Sequence, residues 1–209
     1  MKNLLYLFFL NFCLVGCLPY YGVYSVGLQN VERSDAIKEN YAESKIVNFK
    51  EAETSKYSYE DDLIKAVWLP MSTQFSFTLE NKTDNSIKII WDEAAYVDEK
   101  GSSGRVMHSG VKFIDRSNPQ PPTVIVKKAK IDDIIIPTDN VYFVSGQYGG
   151  WRTKPLFPNR AATQEELKLL SENYIGKTIK ILLPLQIQEN ISEYIFTFNV
   201  ENFTQKTSN

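Results

Sequence analysis

The chain has 209 residues, 43% of them hydrophobic and 23% charged, and its 23 Lys and Arg against 25 Asp and Glu leave a formal net charge of −2. That near-balance gives no basic footprint for nucleic acid and no acidic block of the kind found in disordered tails. Ten glycines, nine prolines and two cysteines exclude collagen-like, low-complexity and disulfide-scaffold classes, and the length suits one domain with a small appendage.

Met1-Lys2-Asn3 is a short positive start, followed by Leu4 to Leu10 and Phe12 to Val15, broken only by Asn11. A helix over Leu4 to Val15 would rise roughly 18 Å, well short of a ~30 Å hydrocarbon core. The segment therefore suits a signal-peptide core better than a membrane span. It ends in Leu14-Val15-Gly16-Cys17, which resembles the lipobox of bacterial lipoproteins. The resemblance implies that residues 1–16 are removed as a signal peptide and that Cys17 carries acyl chains on its sulfur and new amino group. An ordinary cleaved signal with an incidental cysteine is the alternative. Cys13 would leave with the signal, so the mature chain could form no internal disulfide. A lone exposed thiol would be a liability in an oxidising compartment, which is consistent with acylation. One acyl chain holds a protein marginally, whereas two or more hold it firmly. Leu18, rather than aspartate, follows the cysteine. By resemblance to enterobacterial lipoproteins, this implies the outer membrane with the domain facing the periplasm.

Residues 17–57 are expected to form a partly helical tether. Between Val31 and Lys56 the chain is rich in Glu, Lys, Asn and Ser, and Ser34 could cap a helix with Ile37, Tyr41 and Ile46 as a thin apolar stripe. The tyrosines at Tyr20, Tyr21, Tyr24 and Tyr41 suggest that some of this segment docks onto the domain.

From residue 58 to 205 the dominant period is two. Phe75, Phe77 and Leu79 share one face of a strand, and Ile87, Ile89 and Trp91 alternate with Lys88 beyond the turn cluster Asn81 to Ser86, so the two runs are expected to pair as a hairpin. Ala94 to Val97 is expected to turn back at Asp98 to Gly104 into Arg105-Val106-Met107. Short strands follow at Thr123 to Val126, Ile131 to Ile136, Val141 to Val144, Ile179 to Leu183 and Tyr194 to Val200, the last with Thr197, Asn199 and Glu201 facing outward. Thr163 and Glu166 have the capping-box spacing, Leu167, Leu170 and Tyr174 recur at helical intervals, and Gly176 marks a stop. About eight strands around one short inserted helix imply a mainly β chain, with an immunoglobulin-like β-sandwich as the expected architecture.

His108 is the single histidine, so any hydrolase of the Ser–His type would have to use it. Adjacent strand residues point to opposite faces, so Ser109 is not its partner, and Gly101-Ser102-Ser103-Gly104 lacks the spacing of a nucleophile elbow. The acid pairs Asp61-Asp62, Asp92-Glu93 and Asp132-Asp133 lack the ligand pattern of a calcium loop, one histidine cannot build a zinc set, and no glycine-rich loop precedes a helix. Neither metal nor cofactor is expected. Lys127, Lys128 and Lys130 suit an edge-strand guard.

The aromatic run from Val141 to Arg152 offers Tyr142, Tyr148, Trp151 and Arg152 as ligand-binding residues, since flat rings beside an arginine suit a glycan or a protein anchor. Packing of the same rings into the core is the competing role. The expected function is therefore a lipid-anchored cell-envelope protein with a non-enzymatic interaction or structural module, partnered by the membrane through Cys17 and by another envelope protein or glycan. A carbohydrate- or peptidoglycan-binding lipoprotein is the first alternative and a hydrolase using His108 the second.

Overall fold

The computed structural model describes residues 20–34, 45–51 and 54–206. The expected signal peptide and Cys17 lie outside them. Fifteen strands and one α-helix follow one another: β1 (Tyr20–Ser34), β2 (Lys45–Glu51), β3 (Thr54–Glu60), β4 (Ile64–Pro70), β5 (Phe75–Asn81), β6 (Ile87–Ile89), β7 (Ala95–Val97), β8 (Ser103–Met107), β9 (Thr123–Ile125), β10 (Lys130–Pro137), β11 (Val141–Val144), β12 (Gly150–Thr153), β13 (Arg160–Ala161), α1 (Gln164–Tyr174), β14 (Thr178–Ile187) and β15 (Asn190–Lys206).

Thirteen strands join in one antiparallel sheet in the order β13-β1-β15-β14-β7-β8-β10-β5-β4-β3-β2, with β6 pairing β14 and β9 pairing β6. The chain is mainly β, as expected, with one α-helix among the described residues. Its hydrogen-bonded path is continuous, and it curls like half a barrel. Five strands separate β15 from β4 along the path, yet their inner faces meet. The Trp68 ring centroid lies 4.8 Å from that of Phe196 and 5.4 Å from that of Phe198, and Phe75 is 4.8 Å from Phe198. Period-two alternation supplies these rings: Phe75, Phe77 and Leu79 from β5 and Tyr194, Phe196, Phe198 and Val200 from β15 are all buried. Aromatic rings at tilted and edge-on angles fill the fold of the sheet and add to area burial.

Two corrections concern the first 60 residues. The tether expected over 17–57 holds a long strand at its start: β1 lies between β13 and β15 and buries Val26 and Leu28. The helix expected from Ser34 lies largely outside the described residues, and its far end is strand, since β2 pairs with β3 from Lys45↔Glu60 to Glu51↔Thr54. Polar composition misled at β2, an edge strand with mostly exposed side chains, and the lack of a clear period misled at β1, which is only partly buried.

A third correction concerns the expected hairpin. β5 pairs with β4 and β10, while β6 pairs with β14 and β9. Asn81 makes the difference. Fully buried, it aims its amide nitrogen at the carbonyls of Asn85 (2.7 Å), Ile125 (3.1 Å) and Val126 (3.2 Å) and takes the Thr83 N–H on its Oδ1 at 2.9 Å. That corner sends the chain from one arm of the sheet to the other. Thr197, expected outward, is also buried, in the stretch where β15 has β1 on one side and β14 on the other. The helix matches its signals: Thr163 caps α1 by accepting the Glu166 N–H at 3.1 Å, Glu166 returns the bond to the Thr163 N–H, and Gly176 ends it at φ +82°.

A candidate anion-binding cleft

Val141 to Val144 favour extended backbone, and the glycines after them close the turn. Gly146 and Gly150 sit at φ +113° and +134°, and a Cβ on Gly149 would meet the Val144 carbonyl at 2.3 Å. The resulting β11–β12 hairpin pairs Tyr142 with Arg152 and Phe143 with Trp151. Directly paired residues share a face and neighbours alternate, so the hairpin separates the four expected ligand-binding residues.

Trp151 faces the body of the protein. Its ring packs edge-on against Phe143 at 5.4 Å and Phe113 at 6.3 Å, lies 4.9 Å beneath the Arg116 guanidinium, and joins the small core of Met107, Ile136 and Val141. Tyr142 and Arg152 line the opposite side. Here the hairpin, Ser72 and Thr73, and the Pro155 to Arg160 segment enclose an open cleft of about 670 Å³, a volume suited to a small ligand. Tyr148 stands at the turn, 86% exposed, its carbonyl accepting from Arg152 Nη2 at 3.2 Å. Thus Tyr142 and Arg152 come together, Tyr148 borders them, and Trp151 does not take part.

The electrostatics of the cleft are one-sided. Its walls carry Arg152 and Arg160 and no carboxylate, and the Lys154 ammonium sits 5.6 Å from the Tyr142 ring centroid. Among the described residues none of these three cations has an ion-pair partner; Arg152 donates to the carbonyls of Trp151 (3.0 Å) and Tyr148. The floor is tied to β1: the Gly22 N–H donates to Asn159 O at 3.0 Å, Asn159 Nδ2 returns a bond to Gly22 O at 3.1 Å, and Arg160 pairs with Tyr21. Arg160 escaped the sequence analysis because the aromatic run ends at Arg152, and it is the chain path through Pro155 to Asn159, with Arg160 paired to Tyr21, that returns it to the cleft. Only the turn chemistry of Pro158-Asn159 marked its neighbourhood.

The other candidates serve the scaffold. His108 stacks on Trp91 at 4.2 Å and 2°, and its Nδ1 lies 3.3 Å from Asp133 Oδ2. Asp133 Oδ1 accepts the N–H groups of Ser109 (2.8 Å) and Ile134 (2.7 Å), and no hydroxyl bonds to His108 among the described residues. Asp92 holds Arg105 Nη2 at 2.8 Å and the Gln120 N–H at 3.0 Å. Lys128 turns back at φ +59° to reach Lys82 O at 2.6 Å and Asp84 at 3.3 Å. Among the described residues no group of three or more His, Cys, Asp and Glu is placed to hold a metal, and no helix is long and apolar enough to cross a membrane.

Asp61 is a different kind of hub. Its Oδ2 accepts from Arg33 Nη1 (2.8 Å), Tyr194 OH (2.9 Å) and Tyr59 OH (3.1 Å), and its Oδ1 from the N–H groups of Leu63 and Ile64, both at 2.9 Å. Burial first, and the Asp61 charge second, push both tyrosine hydroxyls well above the usual phenol range. No protein family, curated protein or solved structure matches the chain.

Proposed function

We propose that the protein is a lipid-anchored component of the cell envelope, held through acyl chains on Cys17 at the outer membrane and facing the periplasm, and that its domain is a non-enzymatic module binding an anionic partner in the Arg152–Arg160 cleft. In this proposal the facing arms of the curled sheet act as the two layers of an immunoglobulin-like sandwich. The carrying observation is an open cleft lined by two arginines and no carboxylate. Arginine's planar fork suits carboxylate and phosphate, and Tyr142 adds a flat face beside it. A glycan surface built on Tyr142, Tyr148, Trp151 and Arg152 together is less favoured, since Trp151 turns toward Phe113 and Arg116.

Intact-mass analysis of protein recovered from its own membranes should find a chain beginning at an acylated Cys17; an unmodified thiol there overturns the anchoring. Saturating inorganic pyrophosphate should raise the Tm of the wild type and not of the Arg152→Gln, Arg160→Gln double variant, because a ligand that binds only the folded state stabilises it. Equal Tm responses in both proteins overturn the cleft as the anion site.

A further inference from the structure

We infer that the cleft end of the domain docks on the bilayer that holds Cys17, with the phosphate of an anionic phospholipid headgroup between Arg152 and Arg160. The inference rests on the proposed anchoring and adds to it an orientation and a ligand.

Chain length provides the first argument. Cys17 precedes Tyr20 by three residues, so their Cα atoms stand at most about 11 Å apart. Tyr20 pairs with Ala161 and Tyr21 with Arg160, while Asn159 bonds to Gly22 on both its carbonyl and its amide. The anchor and the cleft therefore share one end of β1. A bilayer surface within that reach falls inside the ~10 Å Debye length over which surface charge acts.

Charge supplies the second argument. On a chain of net charge −2, this end gathers Arg152, Arg160 and Lys154, and exposed Lys206 pairs with Tyr21 across β1 and β15. The nearest carboxylates along the chain, Glu165 and Glu166, lie in the first turn of α1, where Glu166 is engaged by the N–H groups of Ala162 (3.1 Å) and Thr163 (3.3 Å). The third argument is amphipathic surface. Tyr20, Tyr142 and Tyr148 are all exposed, and aromatic rings beside cations are favoured at the level of lipid headgroups. A glycan or protein partner would use the same cations, but nothing in the fold brings one as close as the acyl chains bring the membrane.

The acylated chain provides a clean probe, because removal of Cys13 and acylation of Cys17 leave no free thiol. A spin label on Tyr148→Cys reports the cleft rim, and one on Glu189→Cys reports the β14–β15 turn, at the far end of β15 from Lys206. Both are placed in nanodiscs of phosphatidylcholine alone, and of equal parts phosphatidylcholine and phosphatidylglycerol. Access of a soluble nickel reagent to the label at position 148 should fall severalfold in the anionic discs only, with the label at 189 unchanged. Arg152→Gln with Arg160→Gln should restore access, shifting the docking equilibrium roughly thirtyfold. Equal access in both discs, with the chain still disc-bound, overturns the docking and leaves the anchoring intact. A chain that fails to co-fractionate with discs overturns the anchoring itself. Release of the label by inorganic phosphate or by peptidoglycan fragments, with no dependence on lipid composition, assigns the cleft to a free anion or a glycan and overturns the lipid assignment.

Discussion

Replacing Asp61 by Ala should cost more than any surface change on this molecule. Its side chain is 3% exposed and that of Arg33 9%, so the pair is shielded from water. Deleting the carboxylate leaves Arg33 with Asp62 at 2.6 Å and with Tyr194, but strips the N–H groups of Leu63 and Ile64 and both tyrosine hydroxyls of an acceptor. Removing one partner of a buried pair costs about 3–5 kcal/mol, because the desolvated groups left behind keep their penalty. For a domain of this size each kcal/mol moves Tm by about 2–4 °C, so the melting point should drop by about 6–20 °C. Asp61→Asn keeps one oxygen for Leu63 and Ile64 and should cost less. Arg33→Met combined with Asp61→Asn should fall short of additivity by about 1 kcal/mol or more, since the two side chains act as a unit. Urea unfolding of the wild type, the three single variants and the double variant at neutral pH gives these values. An Asp61→Ala protein within 1 kcal/mol of wild type would refute the whole account of this cluster.

Trp151→Ala should lower stability by about 2 kcal/mol, less than the 3–5 of a fully buried ring, while Tyr148→Ala should stay within about 0.5 kcal/mol; thermal melts separate the two, and a neutral Trp151→Ala would put that ring outside the small core. Alkali should unfold the protein. Burial holds Tyr24 and Tyr57 up at about 12, and Tyr59 and Tyr194 higher still, against about 10 in the unfolded chain. A pKa raised by folding means stability that is intact below pH ~10 and declines as pH rises through about 12. Flat stability across that range by urea titration would contradict the burial of these hydroxyls.

What could be seen in the sequence was local. Alternation at Phe75–Leu79 and Tyr194–Val200 reports a half-buried strand whatever its partner, and the Thr163–Glu166 spacing reports a cap formed within one turn. Pairing was another matter. Asn81 to Ser86 has the composition of a hairpin turn, but whether a turn returns the chain or sends it across the fold depends on which distant carbonyls Asn81 finds, here those of Ile125 and Val126. Residues Tyr20 to Ser34 carry apolar side chains without a clear period of two, so their membership of the sheet was invisible until β15 was available to pair with them. The cleft was half visible: the Tyr142–Arg152 hairpin announced itself by its rings and glycines, whereas Arg160 belongs to it only through the tertiary path.

The placement of β1 has a mechanical consequence. It pairs with β15 along nearly its whole length, from Tyr21↔Lys206 to Ser34↔Glu193. A pull on the residues before Tyr20, directed along the strand, would load that ladder in shear, so that many hydrogen bonds bear the force together instead of parting one after another. Under the proposed anchoring at Cys17, tension from the membrane would thus be carried by this ladder before it reached the rest of the sheet.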